Sequence, residues 1–204
     1  MLITVSRQFG AGASLVSRQV ASVLGWSVVD NEFVDEIARK AGLPVEQVAG
    51  REERVPSFVE RLKRALVAAP GVPLIPAAPT ERLDEGDLVK ATEAVVAEIS
   101  QAGKVVLVGR AAVALLGEQQ AIHVRLTASK AFRTRVVMER LSLDEKSALK
   151  LLNETDAQRE RYHRDYYKRD WNDPLNYHMV LNTEVLGFDG ATEVIVSRAR
   201  TLGW

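Results

Sequence analysis

Residues Gly10, Ala11, Gly12, Ala13 and Ser14 follow the short apolar run Leu2–Val5 and precede a segment of helical period, Leu15–Leu24. A glycine-rich turn between a strand and a helix gathers backbone N–H groups at a helix N-terminus. Their free hydrogens and the helix dipole attract an anion without any charged side chain. The phosphate-loop pattern G-x-x-x-x-G-K-[ST], laid over Arg7 to Ser14, finds Gly12 and Ser14 in place but puts Arg7 at the first glycine and Ala13 at the lysine. The lost ammonium is the cation that would reach the outer phosphates of a nucleotide. Arg7 or a distant arginine would have to supply that charge, and a guanidinium fork is not a geometric copy of lysine. Ser14 offers a hydroxyl both to the helix N-terminus and to a magnesium ion. Two other readings stay open: a turn whose glycines serve close packing, and a dinucleotide loop. In the latter, Gly10 and Gly12 open G-x-G-x-x-G, Leu15 breaks it, and Asp30 lies near the offset of a ribose-binding acid.

Further charged residues stand where apolar runs end. Arg110 follows Val105–Val108 and Gly109; an arginine buried at a strand end needs an anionic partner, either a ligand phosphate or a protein carboxylate. Asp30 closes Ser27–Val29, where it fits ligand contact or the N-cap of a following helix. Between Asp156 and Asp170 the cations Arg159, Arg161, Arg164, Lys168 and Arg169 alternate with acids. This pattern suits an anion-gripping helix or a solvated helix laced with ion pairs. Tyr162, Tyr166 and Tyr167 add aromatic surface for packing or for stacking a base. His123, His163 and His178 are scattered, without metal-ligand spacing; His123 and His178, in or beside apolar runs, read as packed or edge residues.

The elements that must position these residues alternate. Leu2–Val5, Ser27–Val29, Val105–Val108, Ile122–Leu126 and Tyr177–Leu181 read as buried strands. Leu15–Leu24, Phe33–Ala41, Leu88–Ala102, Ala131–Leu141 and Thr192–Leu202 read as helices, and Leu141–Asp173 as a polar helical stretch. Strands alternating with helices predict an α/β fold with a parallel sheet covered on both faces and ligands beyond the strands' carboxyl ends. Pro44 to Asp87 breaks the rhythm with an amphipathic helix at Ser57–Ala68 and a proline-rich loop, 70–79, whose period of three fits polyproline II. That loop reads as a connector or as a docking ligand.

At 204 residues, 47% of them apolar, one domain with a sizeable core is expected. Equal numbers of basic and acidic residues, 27 each, provide no overall field for nucleic acid or an anionic membrane, so any anion site must be a local cluster. The absence of cysteine removes thiolate metal sites and a cysteine nucleophile and is compatible with a cytoplasmic location. No signal peptide or spanning segment is recognisable.

In order along the chain, "ITVSRQFGAGAS", "LGWSVVDNEFVDEIA", "VVLVGRAAVALL", "AIHVRLTASKAFRTRVVMER" and "ETDAQRERYHRDYYKRDWNDPLNYHMVLNTEVLGFDGATEVIV" resemble the cytidylate-kinase-like family, a branch of the P-loop nucleoside monophosphate kinases. The resemblance implies a P-loop-type three-layer fold, with a five-stranded parallel sheet, an acceptor-binding insert over 31–87 and an arginine-rich lid over 142–173. It also implies transfer of the γ-phosphoryl of ATP or another nucleoside triphosphate, with Mg2+, to a nucleoside monophosphate such as CMP or dCMP. By the resemblance, Gly10 to Ser14 hold the donor phosphates and Ser14 the magnesium; Asp30, Arg110, Asp156 and Arg159 bind the acceptor. Arg133 and Arg135 approach the lid, and Arg7, Arg110, Arg133, Arg159 and Arg164 are the candidates for charge at the transferring group. Ala13 and Ala111 replace the family's phosphate-loop lysine and the acid of its "GRD" motif. These departures keep a non-catalytic nucleotide-binding protein as the alternative, with a dinucleotide oxidoreductase behind it.

Overall fold

The computed structural model describes residues 1–30, 85–117 and 121–204. The expected helices at Phe33–Ala41 and Ser57–Ala68 and the proline-rich loop lie outside these residues. The chain divides into two compact units, Met1–Val28 with Lys104–Trp204, and Val29–Gly103. In the second unit the described helix is α2, Glu85–Ala102, which buries Thr92, Val95, Val96 and Ile99 along one stripe.

A five-stranded sheet is formed by β1 (Leu2–Arg7), β2 (Ser27–Val29), β3 (Val105–Val108), β4 (Ala121–Thr127) and β5 (Met179–Asn182), in the order β2-β3-β1-β4-β5. Strand β1 pairs in parallel with β3 and β4, and β4 in parallel with β5. The first four strands fall where the apolar runs predict them, because each run is too short for a helix. Strand β5 begins at Met179 and not at Tyr177, which still closes the turn at Pro174–Asn176. The edge strands β2 and β5 are only partly buried where buried strands were expected.

The two faces of the sheet differ in chemistry. Ile3 and Val5 of β1, Val106 and Val108 of β3, and Ile122, Val124 and Leu126 of β4 point one way. They form the main core with Val16 and Val20 of α1 (Ala13–Leu24) and Ala191, Ile195 and Ala199 of α6 (Thr183–Thr201). The alternate positions place buried Thr4, Ser6, His123 and Arg125 on the other face. There the Trp171 indole donates to Ser6 Oγ at 3.0 Å and the Arg125 guanidinium donates to Trp171 O at 2.6 Å, with the charge lying 4.1 Å from the Trp171 ring centroid. His123 and His178 stack at 4.9 Å, and the Thr4 hydroxyl lies 2.7 Å from His123 Nδ1.

Helices α3 (Ala112–Leu115), α4 (Lys130–Leu141) and α5 (Glu145–Tyr167) complete the first unit. The sequence expectation for the last helix began at Thr192. The helix instead starts at Thr183 and bends at Gly187, whose φ of 70° and ψ of 169° interrupt it. Asn182, whose side chain accepts from Glu184 N–H, supplies the start signal ten residues before the apolar period that begins at Thr192.

Candidate functional site

Parallel pairing brings the carboxyl ends of the strands to one edge. The loop after β1 is shaped by a consistent division of its polar groups. Three of its carbonyls are drawn off by side chains: Arg7 O accepts from Arg159 Nη1 at 2.9 Å, Phe9 O from Arg133 Nη1 at 3.0 Å, and Ala11 O from the Thr183 hydroxyl at 3.1 Å. Gln8 O and Gly12 O are satisfied within the turn and the first turn of α1. Three N–H groups are also occupied, Gln8 N–H on Leu126 O, Phe9 N–H on Asp156 Oδ1 at 2.8 Å and Ala11 N–H on Gln8 O at 3.1 Å. Among the described residues, the N–H groups of Gly10, Gly12, Ala13 and Ser14 make no hydrogen bond. A run of such donors at the start of a twelve-residue helix is the geometry that accepts an anion.

Close packing requires both glycines. At Gly10 a Cβ would lie 2.7 Å from Arg133 O, and at Gly12, with φ of 79°, it would strike the Phe188 ring. The packing reading of the loop is thus met at Gly10 and Gly12. Gly12 is the N-cap of α1, and no side-chain hydrogen bond caps that helix. This corrects the capping role expected for the Ser14 hydroxyl, which makes no hydrogen bond among the described residues. Ala13 is buried, 5% exposed, so no cation reaches the loop from that position.

At the end of β3 the backbone turns left-handed three times in succession: Gly109 at φ 78°, Arg110 at 57° and Ala111 at 48°. Ala112 N–H closes the turn on Gly109 O at 3.1 Å. Left-handed conformations cost roughly 1–2 kcal/mol at each non-glycine residue. Strain of this kind persists where the surroundings impose it. Arg110 is exposed, which corrects the expectation of a buried arginine at this strand end. Arg7 does not turn toward Ala13. Its guanidinium lies against the face of Gly109 that a Cβ would occupy.

The arginine-rich elements separate into two groups. Arg133, 4% exposed, donates through Nη1 to Asp156 Oδ2 at 2.6 Å and through Nε to Ala128 O at 3.1 Å. Arg159 lies 3.9 Å from Asp156 Oδ1 and 5.7 Å from the Phe9 ring centroid. Thus Arg7, Phe9, Arg133, Asp156 and Arg159 come together at the loop. Arg164 does not join them: its side chain is 63% exposed and donates to neighbouring Asp165 at 3.3 Å. Arg135 is exposed on α4. Tyr162 packs on Tyr166 at 5.0 Å and on Tyr167 at 5.7 Å. Asp30 follows β2 with 8% exposure, in the other unit. Its expected capping role concerns residues beyond those described.

Sequence reasoning passed over Thr183 and Phe188, which meet the loop from the first turns of α6. The Asn182-Thr183 pair at the end of an apolar run was the available signal, because a strand that runs straight into a capped helix places its junction residues at the site edge.

Comparison with known proteins agrees with this architecture. A 26% identical relative, over 95% of this chain and 90% of its own length, is named cytidylate kinase from Pyrobaculum islandicum. A crystal structure of an uncharacterized protein from Eubacterium ventriosum superposes with a TM-score of 0.67 at 21% identity over 97% of both chains. The shikimate kinase of Bacteroides thetaiotaomicron gives 0.51 at 14% identity over 99% of this chain and 97% of its own. These two show the fold alone, an α/β architecture built on a five-stranded sheet. The model of the cytidylate kinase-like family matches residues 2–185, across every strand of the sheet and the loop that follows β1, and the chain belongs to that family.

Proposed function

We propose that this protein is a nucleoside monophosphate kinase-like phosphotransferase that moves the γ-phosphoryl of ATP, or another nucleoside triphosphate, to a small acceptor, with CMP or dCMP first. The observation that carries the reading is the division of the loop's polar groups: carbonyls tied back into the protein, and the N–H groups of Gly10, Gly12, Ala13 and Ser14 left to receive an anion. Family membership and the kinase fold support a nucleotide substrate.

In this reading the donor triphosphate lies on the loop amides at the start of α1, where the helix dipole adds to their attraction. Among the described residues no cluster of His, Cys, Asp or Glu is suited to hold a metal by itself. A magnesium ion, which would neutralise charge between the outer phosphates, would be carried by the nucleotide with the Ser14 hydroxyl as its protein ligand. Arg110, exposed on its strained turn, binds the acceptor phosphate, and Asp30 belongs to the acceptor side. An acceptor phosphate oxygen attacks the γ-phosphorus as the bond to the β–γ bridging oxygen breaks. The protein supplies alignment and positive charge rather than covalent chemistry. The location is proposed to be cytoplasmic.

The test is single-turnover transfer from ATP with magnesium to CMP, dCMP and UMP, in wild type and Arg110→Ala. Product that depends on magnesium and is lost in the variant supports the kinase. The buried Ala13 favours a second reading, a nucleotide-binding protein without turnover. ATP binding with no transfer to any acceptor would establish it.

A further inference from the structure

The pair Arg133–Asp156 grips both polar groups of one residue, Phe9. Asp156 Oδ1 accepts the Phe9 N–H at 2.8 Å, and Arg133 Nη1 donates to the Phe9 carbonyl at 3.0 Å while also holding Asp156 Oδ2 at 2.6 Å. The three groups form a closed ring of charge-assisted hydrogen bonds around one backbone segment. The Arg133 side chain is 5% exposed and that of Asp156 18%, so the ring is largely shielded from water. Arg133 approaches the loop by its backbone as well, since its carbonyl lies where a Gly10 Cβ would be. The Phe9 ring, 9% exposed, is buried with Val137 of α4 and Ala148 and Leu152 of α5, while Arg140 lies 5.2 Å from its centroid.

We infer that Asp156 and Arg133 are positioning residues for the donor loop, and that through Phe9 the loop and the α4–α5 hairpin form one mechanical unit. This inference rests on the anion-cradle reading above. Both oxygens of Asp156 are engaged toward the protein, Oδ1 by Phe9 N–H and Oδ2 by Arg133. A carboxylate so held sets the direction of the peptides that follow Phe9, and so the aim of the Gly10 to Ser14 amides. It does not read an acceptor base. Preorganised amides matter most where the phosphate loop has no lysine, because alignment must then supply what a mobile cation would. Arg159, donating to Arg7 O, restrains the other end of the segment.

The experiment combines binding, kinetics and amide NMR. Sodium tripolyphosphate and ATP are titrated into wild type, Asp156→Asn and Arg133→Lys, and the KM of the acceptor is measured separately from that of the donor. The inference expects tripolyphosphate and ATP affinity to fall by roughly tenfold or more in Asp156→Asn, the loss of one charge-assisted hydrogen bond, with acceptor KM and preference unchanged. Unaltered donor affinity with a raised acceptor KM, or an altered choice among CMP, dCMP and UMP, overturns it. If the wild type binds neither tripolyphosphate nor ATP, the cradle reading itself fails. Should the variants not fold, unliganded wild type decides. A Phe9 amide protected from exchange, beside freely exchanging Gly10, Gly12 and Ser14 amides, supports the brace. A Phe9 amide that exchanges as fast as its glycine neighbours removes it.

Discussion

The guanidinium of Arg7 lies against Gly109, joining the loop after β1 to the turn after β3 through a contact that no side chain at position 109 would permit. Gly109 also has a φ of 78°. Gly109→Ala therefore meets two costs, the left-handed backbone, roughly 1–2 kcal/mol, and displacement of Arg7. Urea unfolding should register the first. The second should appear as weakened nucleotide binding, beyond what the loss of stability explains.

Gly12 meets aromatic carbon in place of a flexible cation. Phe188, edge-on to Phe132 at 6.2 Å, stands where a Gly12 Cβ would be. Gly12→Ala should destabilise by about 2–4 kcal/mol, combining left-handed strain and overpacking. In the double variant with Phe188→Ala, part of that loss should be recovered. Additive losses in a double-mutant cycle would show that the ring is not the obstacle.

Burial pushes the His123 and His163 imidazoles down to about 4, with His178 adding to the effect at His123 and Arg125 at His163. The unfolded chain protonates these rings near their ordinary value of 6.5. Between about pH 6.5 and 4 it thus binds protons that the folded protein refuses, and stability falls as pH falls through that window. Above it both states are neutral and stability is full. Two such shifts amount to roughly 3 kcal/mol each at most. Unfolding free energy measured from pH 7.5 to 4.5 should decline, and His163→Gln should flatten part of the slope. A profile that stays flat over this range in wild type would count against the buried neutral rings.

Arg125 is 2% exposed and, among the described residues, is held by no carboxylate. Its partners are Trp171 O, the Tyr177 hydroxyl at 3.1 Å and Asn172 Oδ1 at 2.7 Å, together with the Trp171 ring. Lysine has the charge without the planar fork or the ring contact. Arg125→Lys should cost about 2–3 kcal/mol in unfolding free energy, although the position faces away from the main core and lies outside the phosphate loop.

Much of the fold was legible. Ser27–Val29 and Val105–Val108 coincide with β2 and β3, and Leu2–Val5 and Ile122–Leu126 fall inside β1 and β4. Apolar runs of three to five residues between turn residues leave a strand little alternative. The start of α6 was legible only in its cap, Asn182, and not in an apolar stripe, because the first turn puts Val185 and Leu186 on the exposed side and bends at Gly187. At the site, the glycines and the residues Arg110, Asp156 and Arg159 were visible as types at strand and helix ends. Which of them meet was not visible.

By itself the sequence determined the loop's position after β1, its glycines, and the absence of a lysine at Ala13, since these depend on local residue type and order. Tertiary structure alone decided what each charged group touches. Asp156 reaches Phe9 across 147 positions and Arg159 reaches Arg7 across 152. Contacts at such separation are set by how helices pack on the sheet, and no local pattern encodes them. The same "DAQR" segment that resembles an acceptor reader is placed by that packing against the backbone of the phosphate loop.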